Sequence, residues 1–412
     1  MHKFFYSIKD SWINELSSSK NYGGDQILEL RKYFPSTASP QSSSFAEGVT
    51  RILTQFNIND VSESLEKLTR GSTFGESNVK FHLRLYSSEP SHLQSEYSLE
   101  AFPLSSSWVE GTGLNSSKPI VQDGVTWRHI NASDPNEIWK LHNGLGASGS
   151  RPLGSGSEAN GSGSLFGGVW YTGSTFQATQ SFSYESPDID MDVTDIVRHW
   201  ISGSQGKGWV GAGIANPRLT GIPNYGFVLK ISGSLTATGA ENDTSTMGLK
   251  FFSRNTHTIY TPKLEAKWDS HFPIKGPVTG ALNELDVSGE VDNYLYVKGI
   301  KPYYKEDEIV KFRIGARKKN VGRTWSTSVQ TMSGSYIPDT SGSYSIVDVT
   351  TGETIIPFGG YSLIGIDSSS MYFKQDLNTF QPNRFYKILL KLKTNDNQEI
   401  IYDDNFEFKV VR

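Results

Sequence analysis

The sequence predicts an all-β protein built from two successive β-sandwiches. Three observations carry this expectation. Gly stands at 40 of 412 residues, with 19 Tyr and 22 Phe, a composition that suits sheets and tight turns better than helical bundles. Short runs of alternating apolar and polar residues recur along the whole chain, punctuated by Gly, Ser, Asn and Pro. Helical spacing shows in only two short stretches, 60–70 and 192–200.

Residues 4–13 alternate loosely and read as a first strand, followed by the turn "SSSKNYGGDQ" and a strand opening "ILEL". A polar loop, "STASPQSSS", leads to a clear strand, "RILTQFNI", and then to "DVSESLEKLTR", which has the spacing of one short helix. In "KFHLRLYS" Phe81, Leu83 and Leu85 alternate with Lys80, His82 and Arg84, so one face is buried and one is wet. "YSLEAFPL" repeats the pattern, and "GVTWRHI" reads as another strand.

Asn143 to Gly168 is a Gly/Ser-rich insertion, either a tolerated surface loop or a loop ordered by a neighbouring subunit. Strands resume at "GVWYTG", "QSFSYE" and "DIDMDV". The stretch "DVTDIVRHW" then breaks the pattern. Val193, Ile196, Val197 and Trp200 fall on one helical stripe, with Asp192 placed to cap the start and Asp195 in the first turn. This predicts a helix near 193–202. "GWVGAGIA", "NYGFVLKIS", "GLKFFSRN" and "KLEAKWD" return to strands. The stretch 270–280, with Pro and Gly, reads as a linker, giving domains 1–269 and 281–412. The second domain is a series of short strands with turn signals between them, which fits an Ig-like sandwich.

A formal charge of −4 gives no sign of a nucleic-acid partner. The absence of Cys removes disulfides and thiolate metal sites. No run approaches the roughly 18 apolar residues of a transmembrane helix, so no membrane insertion is expected. The apolar run at Phe4–Tyr6 is too short for a signal-peptide core, which implies a protein assembled in the cytoplasm of the cell that makes it.

Several separated segments together resemble the DNRLRE-type β-sandwich module over about residues 3–269. "KDSWINELSSSKNYGGDQILEL" is similar to its opening strand, "NYG" turn and second strand, and "TRILTQFNI" to its R-x-L-x-x-F strand. "HLRLY" matches its L-x-L strand. "SSSWVEGTG" and "GVTWRH" resemble its W-x-E-x-x-V-T-W region, split here by an insertion. "DVTDIVRHWISG" resembles its helix, and "NYGFVLK", "FFSRN" and "PKLEAKW" its closing strands. The resemblance implies a jelly-roll-like sandwich whose helix caps one end, with Trp200 as the plug and Trp127 in the core. Such modules occur as carbohydrate-binding or adhesive units of bacterial surface proteins and in virion structural proteins of tailed phages. With no export signal expected, the second setting is favoured.

Candidate sites follow from residue type and spacing. Asp188, Asp190 and Asp192 share one strand face and could hold a calcium ion, or simply form a solvated edge before the helix. Among Trp12, Trp108, Trp127, Trp139, Trp170, Trp200, Trp209, Trp268 and Trp325, the best surface candidate is Trp170, with Tyr171, as a glycan contact beside the Gly/Ser loop; core packing is the alternative. Arg313, Arg317, Lys318, Lys319 and Arg323 read as a basic hairpin tip rather than an anion site. His129, His199, His257 and His271 stand in no catalytic motif, and Glu100 with Glu110 is a glycosidase pair only in principle. No catalytic residue and no cofactor are therefore expected. The functional expectation is a non-enzymatic virion protein of tail, neck or capsid surface. It would be present in multiple copies and dock onto other virion proteins. The alternative is a carbohydrate-binding or adhesive module for host or surface glycans.

Overall fold

The computed structural model describes residues 1–33, 48–69, 79–91, 93, 96–139, 153–155, 167–171, 173–204, 221–232, 247–271, 282–288, 293–320, 325 and 334–412. The chain divides into two compact units. The first comprises Phe5–Arg70 and Lys80–Glu265; the second comprises Met1–Phe4, Gly71–Val79 and Ala266–Arg412. Most of the 270–280 linker and most of the 143–168 insertion lie outside the described residues. Among the described residues no helix is long and apolar enough to cross a membrane.

The elements lying wholly or mostly in the first unit are β1 (His2–Asn14), β2 (Ile27–Tyr33), β3 (Gly48–Phe56), α1 (Ile58–Thr69), β4 (Lys80–Leu85), β5 (Glu96–Pro103), β6 (Leu153–Ser155), β7 (Val169–Tyr171), β8 (Ala178–Ser183), β9 (Ile189–Asp192), α2 (Thr194–Ser204), β10 (Phe227–Ile231), β11 (Met247–Phe252) and β12 (Lys263–Lys267). The fold is the jelly-roll-like sandwich that the sequence predicts, with two short helices. Its main sheet runs β8-β5-β10-β3-β1-β12-β4-β9, with β2 and β11 branching from β3. The two ends of that order are joined by a side chain. Gln180 on β8 donates through Nε2 to Asp188 O at 3.3 Å and accepts the Asp190 amide of β9 through Oε1 at 2.8 Å. An exposed strand edge is thereby covered.

Both helices form where the apolar stripe demands it. In α1, Val61 and Leu65 are buried one turn apart, and Asn57 accepts the Asn59 amide at 3.2 Å. In α2, Val193, Ile196, Val197 and Trp200 are all buried. The start differs slightly from expectation. The Val193 carbonyl accepts the first helical bond, from Val197 N at 3.1 Å, so Asp192 stands one residue before the cap and takes the Thr194 amide at 3.0 Å. Helices this short have no stability of their own. They are held by packing against each other and, for α2, against β4.

The segment "GVTWRHI" is not a strand. Thr126 Oγ1 accepts the amides of Arg128 at 3.3 Å and His129 at 3.0 Å, and this local turn replaces the ladder that its β-rich composition suggests. "GWVGAGIA" lies outside the described residues.

The second unit is the Ig-like sandwich. Its strands are β13 (Asn283–Glu284), β14 (Asn293–Lys298), β15 (Tyr303–Lys305), β16 (Ile309–Lys318), β17 (Ser335–Tyr336), β18 (Gly342–Asp348), β19 (Thr354–Ile356), β20 (Gly365–Ile366), β21 (Met371–Asp376), β22 (Phe385–Lys393) and β23 (Glu399–Val411). One sheet runs β13-β17-β16-β21-β20 with β14 on the other side of β16, and the other runs β15-β23-β22-β18-β19. The inward side chains, among them Phe312, Tyr344, Phe373, Tyr386 and Phe408, form one buried cluster. The chain's first residues belong to this unit. Lys3 Nζ meets Asp376 Oδ2 at 2.6 Å, and Gln375 Nε2 donates to His2 O at 3.0 Å.

Candidate functional site

Four segments far apart in sequence converge in the first unit: "NYGG" after β1, "WVEGTG" after β5, "GVT" at 124–126, and "SRN" after β11. Asn21 is at their centre and fully buried. Its Nδ2 donates to Glu110 O and Val125 O, both at 2.8 Å, while its Oδ1 accepts from Gly23 N at 3.1 Å and Gly113 N at 2.8 Å. Gly23 is required by close approach, since a Cβ there would stand 2.0 Å from Glu110 O. Asp25 Oδ1 takes the Asn115 amide at 2.8 Å, and Asn255 Nδ2 donates to Gly23 O at 3.0 Å.

A charged group sits beside this knot. Asp10, fully buried on β1, accepts the Arg254 amide at 2.7 Å, and its own amide donates to Glu110 Oε1 at 2.8 Å. Arg254 Nη1 reaches Glu110 Oε2 at 3.1 Å. Lys9 Nζ donates to Trp108 O at 2.6 Å and lies 4.5 Å from the centre of the Trp108 ring. Asp10 Oδ1 is buried without a partner among the described residues. Burial pushes the Asp10 carboxyl up to about 7; the Glu110 charge adds to this, and the Arg254 amide and guanidinium oppose it. Burial also raises Glu110 and lowers Lys9.

No family model matches this chain. No curated protein matches it either. Among solved structures it is similar to the adhesin domain of Epf from Streptococcus pyogenes, 8% identical over 100% of this chain and 92% of that one, with a TM-score of 0.15. A likeness that loose carries no argument about function.

The residues singled out from sequence fall in different places. Trp170 and Tyr171 are buried, so neither is a glycan contact. The reason is Arg51, a cation buried inside β3. Its guanidinium lies 4.7 Å from the Trp127 ring and 5.3 Å from the Trp170 ring, and Nη1 donates to Gly167 O at 2.7 Å. Two indole faces and a carbonyl shield a charge that water cannot reach. Trp12, Trp108, Trp139, Trp200 and Trp268 are buried as well; Trp325 is fully exposed and Trp209 lies outside the described residues.

The three aspartates share a face but not a ligand. Asp188 Oδ1 takes the Ser87 amide at 2.7 Å, Asp190 meets His82 Nδ1 at 2.8 Å, and Asp192 serves Thr194 with Lys80 3.5 Å away. Among the described residues no group of three or more such side chains is placed to hold a metal ion. Glu100 pairs with Lys230 at 3.1 Å and Glu110 with Arg254, so the two glutamates have separate partners. His129 is near Thr126 Oγ1 at 3.4 Å, His199 lies tilted at 51° against Phe176 with centres 4.8 Å apart, His271 is 2.7 Å from Asp339, and His257 is exposed.

The buried acid gives the fold a pH dependence of defined sign. Asp10 titrates near 7 when folded, against an ordinary value of 3.8. Between these values the folded chain keeps a proton that the unfolded chain has released, so stability falls as pH rises through this window. The loss is on the order of 4 kcal/mol if the whole shift is expressed. Asp10→Asn is expected to flatten the slope of unfolding free energy between pH 4 and pH 7. An unchanged slope in urea titrations would exclude Asp10 as its source.

Proposed function

We propose that the chain is a non-enzymatic structural subunit of a tailed-phage particle, built on a DNRLRE-like module and acting by docking onto other virion proteins of tail, neck or capsid surface. It is assembled in the host cytoplasm in multiple copies. The observation that carries the reading is the loop between β5 and the 124–126 segment. Its backbone is pinned by Asn21, Asp25 and Asp123, the last accepting the Thr112 amide at 3.0 Å, yet it exposes Val109 (45%), Leu114 (40%) and Ile120 (53%). A rigid loop that holds apolar side chains in water suits a protein contact, because little order remains to be lost on binding. The motif segments on which the family resemblance rests also hydrogen-bond to one another at the Asn21 knot, which supports a shared architectural purpose.

The test is the particle itself. Mass spectrometry of purified particles is expected to find the chain at a fixed copy number. Leu114→Asp with Ile120→Asp is expected to lower incorporation at least tenfold without changing the melting of the free chain. Absence from particles overturns the reading, and full incorporation of the double variant overturns the role of the loop.

A further inference from the structure

In the stretch "RIGARKK" the two arginines stand within a strand rather than at a hairpin tip. Arg313 and Arg317 lie within β16 and Lys318 at its end, while Lys319 follows it and Arg323 lies outside the described residues. Period two puts Lys311, Arg313, Gly315 and Arg317 on the outward side, while Phe312, Ile314 and Ala316 enter the core. The neighbouring strands fill the same face. Tyr294, Tyr296 and Lys298 of β14 stand opposite Arg317, Gly315 and Arg313. Tyr372 and Lys374 of β21 stand opposite Arg313 and Lys311.

Two features distinguish this face from an ordinary wet sheet. First, each arginine has a tyrosine directly across from it. Arg317 lies 5.1 Å from the Tyr294 ring centre and Arg313 5.8 Å from that of Tyr372. Tyr294 and Tyr296 are half-buried, with centres 5.7 Å apart and planes 18° apart. The Tyr296 ring extends over Gly315, where a Cβ would stand 2.4 Å from its Cζ. Second, the charge is one-sided. Asp367 pairs with Arg313 at 2.6 Å and with Lys311, and Asp404 bonds to the Tyr294 hydroxyl. Lys298, Arg317 and Lys374 have no ion pair among the described residues. A basic face on a chain of net charge −4 is a local reversal of sign, which favours an anionic partner there.

We propose that this face of β14, β16 and β21 binds an anionic polysaccharide, with sugar rings on Tyr294 and Tyr296 and their carboxylates on Arg317, Lys298 and Lys374, since Arg313 is taken by Asp367 and the Tyr372 ring is covered by Lys311 3.7 Å from its centre. Arginine's planar fork matches a carboxylate in two-pronged fashion. Lys374 stands across from Lys311, six residues from Arg317 along β16, about 20 Å, so the spread of unpaired cations asks for a chain rather than a single sugar. A nucleic-acid strand, with a charge at every phosphate, asks for a denser basic track than three cations spread over that distance. The proposal is independent of the docking reading, since it concerns the second unit and leaves Leu114 and Ile120 uninvolved.

Calorimetry on the full chain with four probes tests it. An oligogalacturonate is expected to bind. Its methyl-esterified form, which keeps the rings and loses the charge, is expected to bind at least tenfold more weakly. Polyglutamate and oligo-dT, which keep charge without the sugar carboxylates, are expected to do the same. Tyr294→Ala and Arg317→Gln, both on the open face, are each expected to weaken oligogalacturonate at least fivefold while melting at the parent temperature. Failure of the oligogalacturonate to bind overturns the proposal. So does equal affinity for oligo-dT or polyglutamate, which would leave a generic cationic surface or a different class of partner. Unchanged affinity in both variants places the ligand elsewhere and overturns it too.

Discussion

Trp200→Ala is expected to lower the stability of the first unit by about 3–5 kcal/mol, the range for deleting a large buried aromatic side chain. Trp200 is fully buried, its ring 4.5 Å from that of Phe227 at 59°, and Phe227 meets Phe56 6.3 Å away. The indole therefore fastens α2 to β10 and, through it, to β3. A helix of eleven residues has little means of closing the resulting cavity, because its position is set by that contact. The indole N–H has no partner among the described residues, so the loss is one of volume and contact rather than of a hydrogen bond. Trp200→Phe keeps most of the volume and is expected to cost less, about 1–2 kcal/mol. Asp192→Ala removes a half-exposed carboxylate from the helix start and is expected to cost about 1 kcal/mol. Urea unfolding of the full chain gives the three values, and hydrogen exchange in α2 and β10 peptides assigns the transition to this unit. If Trp200→Ala unfolds like the parent, the helix does not seal the sandwich.

What the sequence revealed, and what it hid, follow from the range of the interactions. The apolar stripe of α2 and the alternation of β4 are visible because burial on one face repeats at 3.6 or 2.0 residues. The strand reading of "GVTWRHI" failed because the Thr126 hydroxyl offers its backbone a local alternative that period counting does not see. Trp170 looked like a surface residue beside a Gly/Ser loop. Its burial goes with Arg51, the charged residue that opens "RILTQF" in an almost fully buried strand, and that residue was the signal for an aromatic enclosure. Arg313 and Arg317 were read by composition, as a basic cluster, when the alternation of "FRIGAR" already placed them on one strand face. The Asn21 knot had no comparable signature. Its bonds run from one side chain to backbone atoms about a hundred positions away, and backbone atoms are the same in every residue.

Asn21→Ala is expected to destabilise the first unit by about 4 kcal/mol or more. The side chain of Asn21 makes four hydrogen bonds to backbone groups: two donated, to Glu110 O and Val125 O, and two accepted, from Gly23 N and Gly113 N. Alanine leaves two carbonyls and two amides in a site closed to water, and each buried group left unsatisfied costs about 1–3 kcal/mol. Asn21→Asp tests the same geometry in a different way. It preserves the acceptor for Gly23 and Gly113 but sets a carboxylate oxygen against two carbonyl oxygens, so it is expected to be no better than alanine. Gln adds a methylene where Gly111 and Gly113 already crowd the amide, a Cβ on Gly111 standing 2.4 Å and one on Gly113 2.9 Å from Asn21 Oδ1. Because Asn21 pins the loop that exposes Val109, Leu114 and Ile120, local opening should precede global unfolding. Hydrogen exchange at residues 109–125 is expected to rise in Asn21→Ala even where the sheet strands stay protected, and incorporation into particles should fall with it. A variant that unfolds at the parent's urea midpoint, with exchange in the loop unchanged, would show that the knot holds neither the fold nor the docking surface.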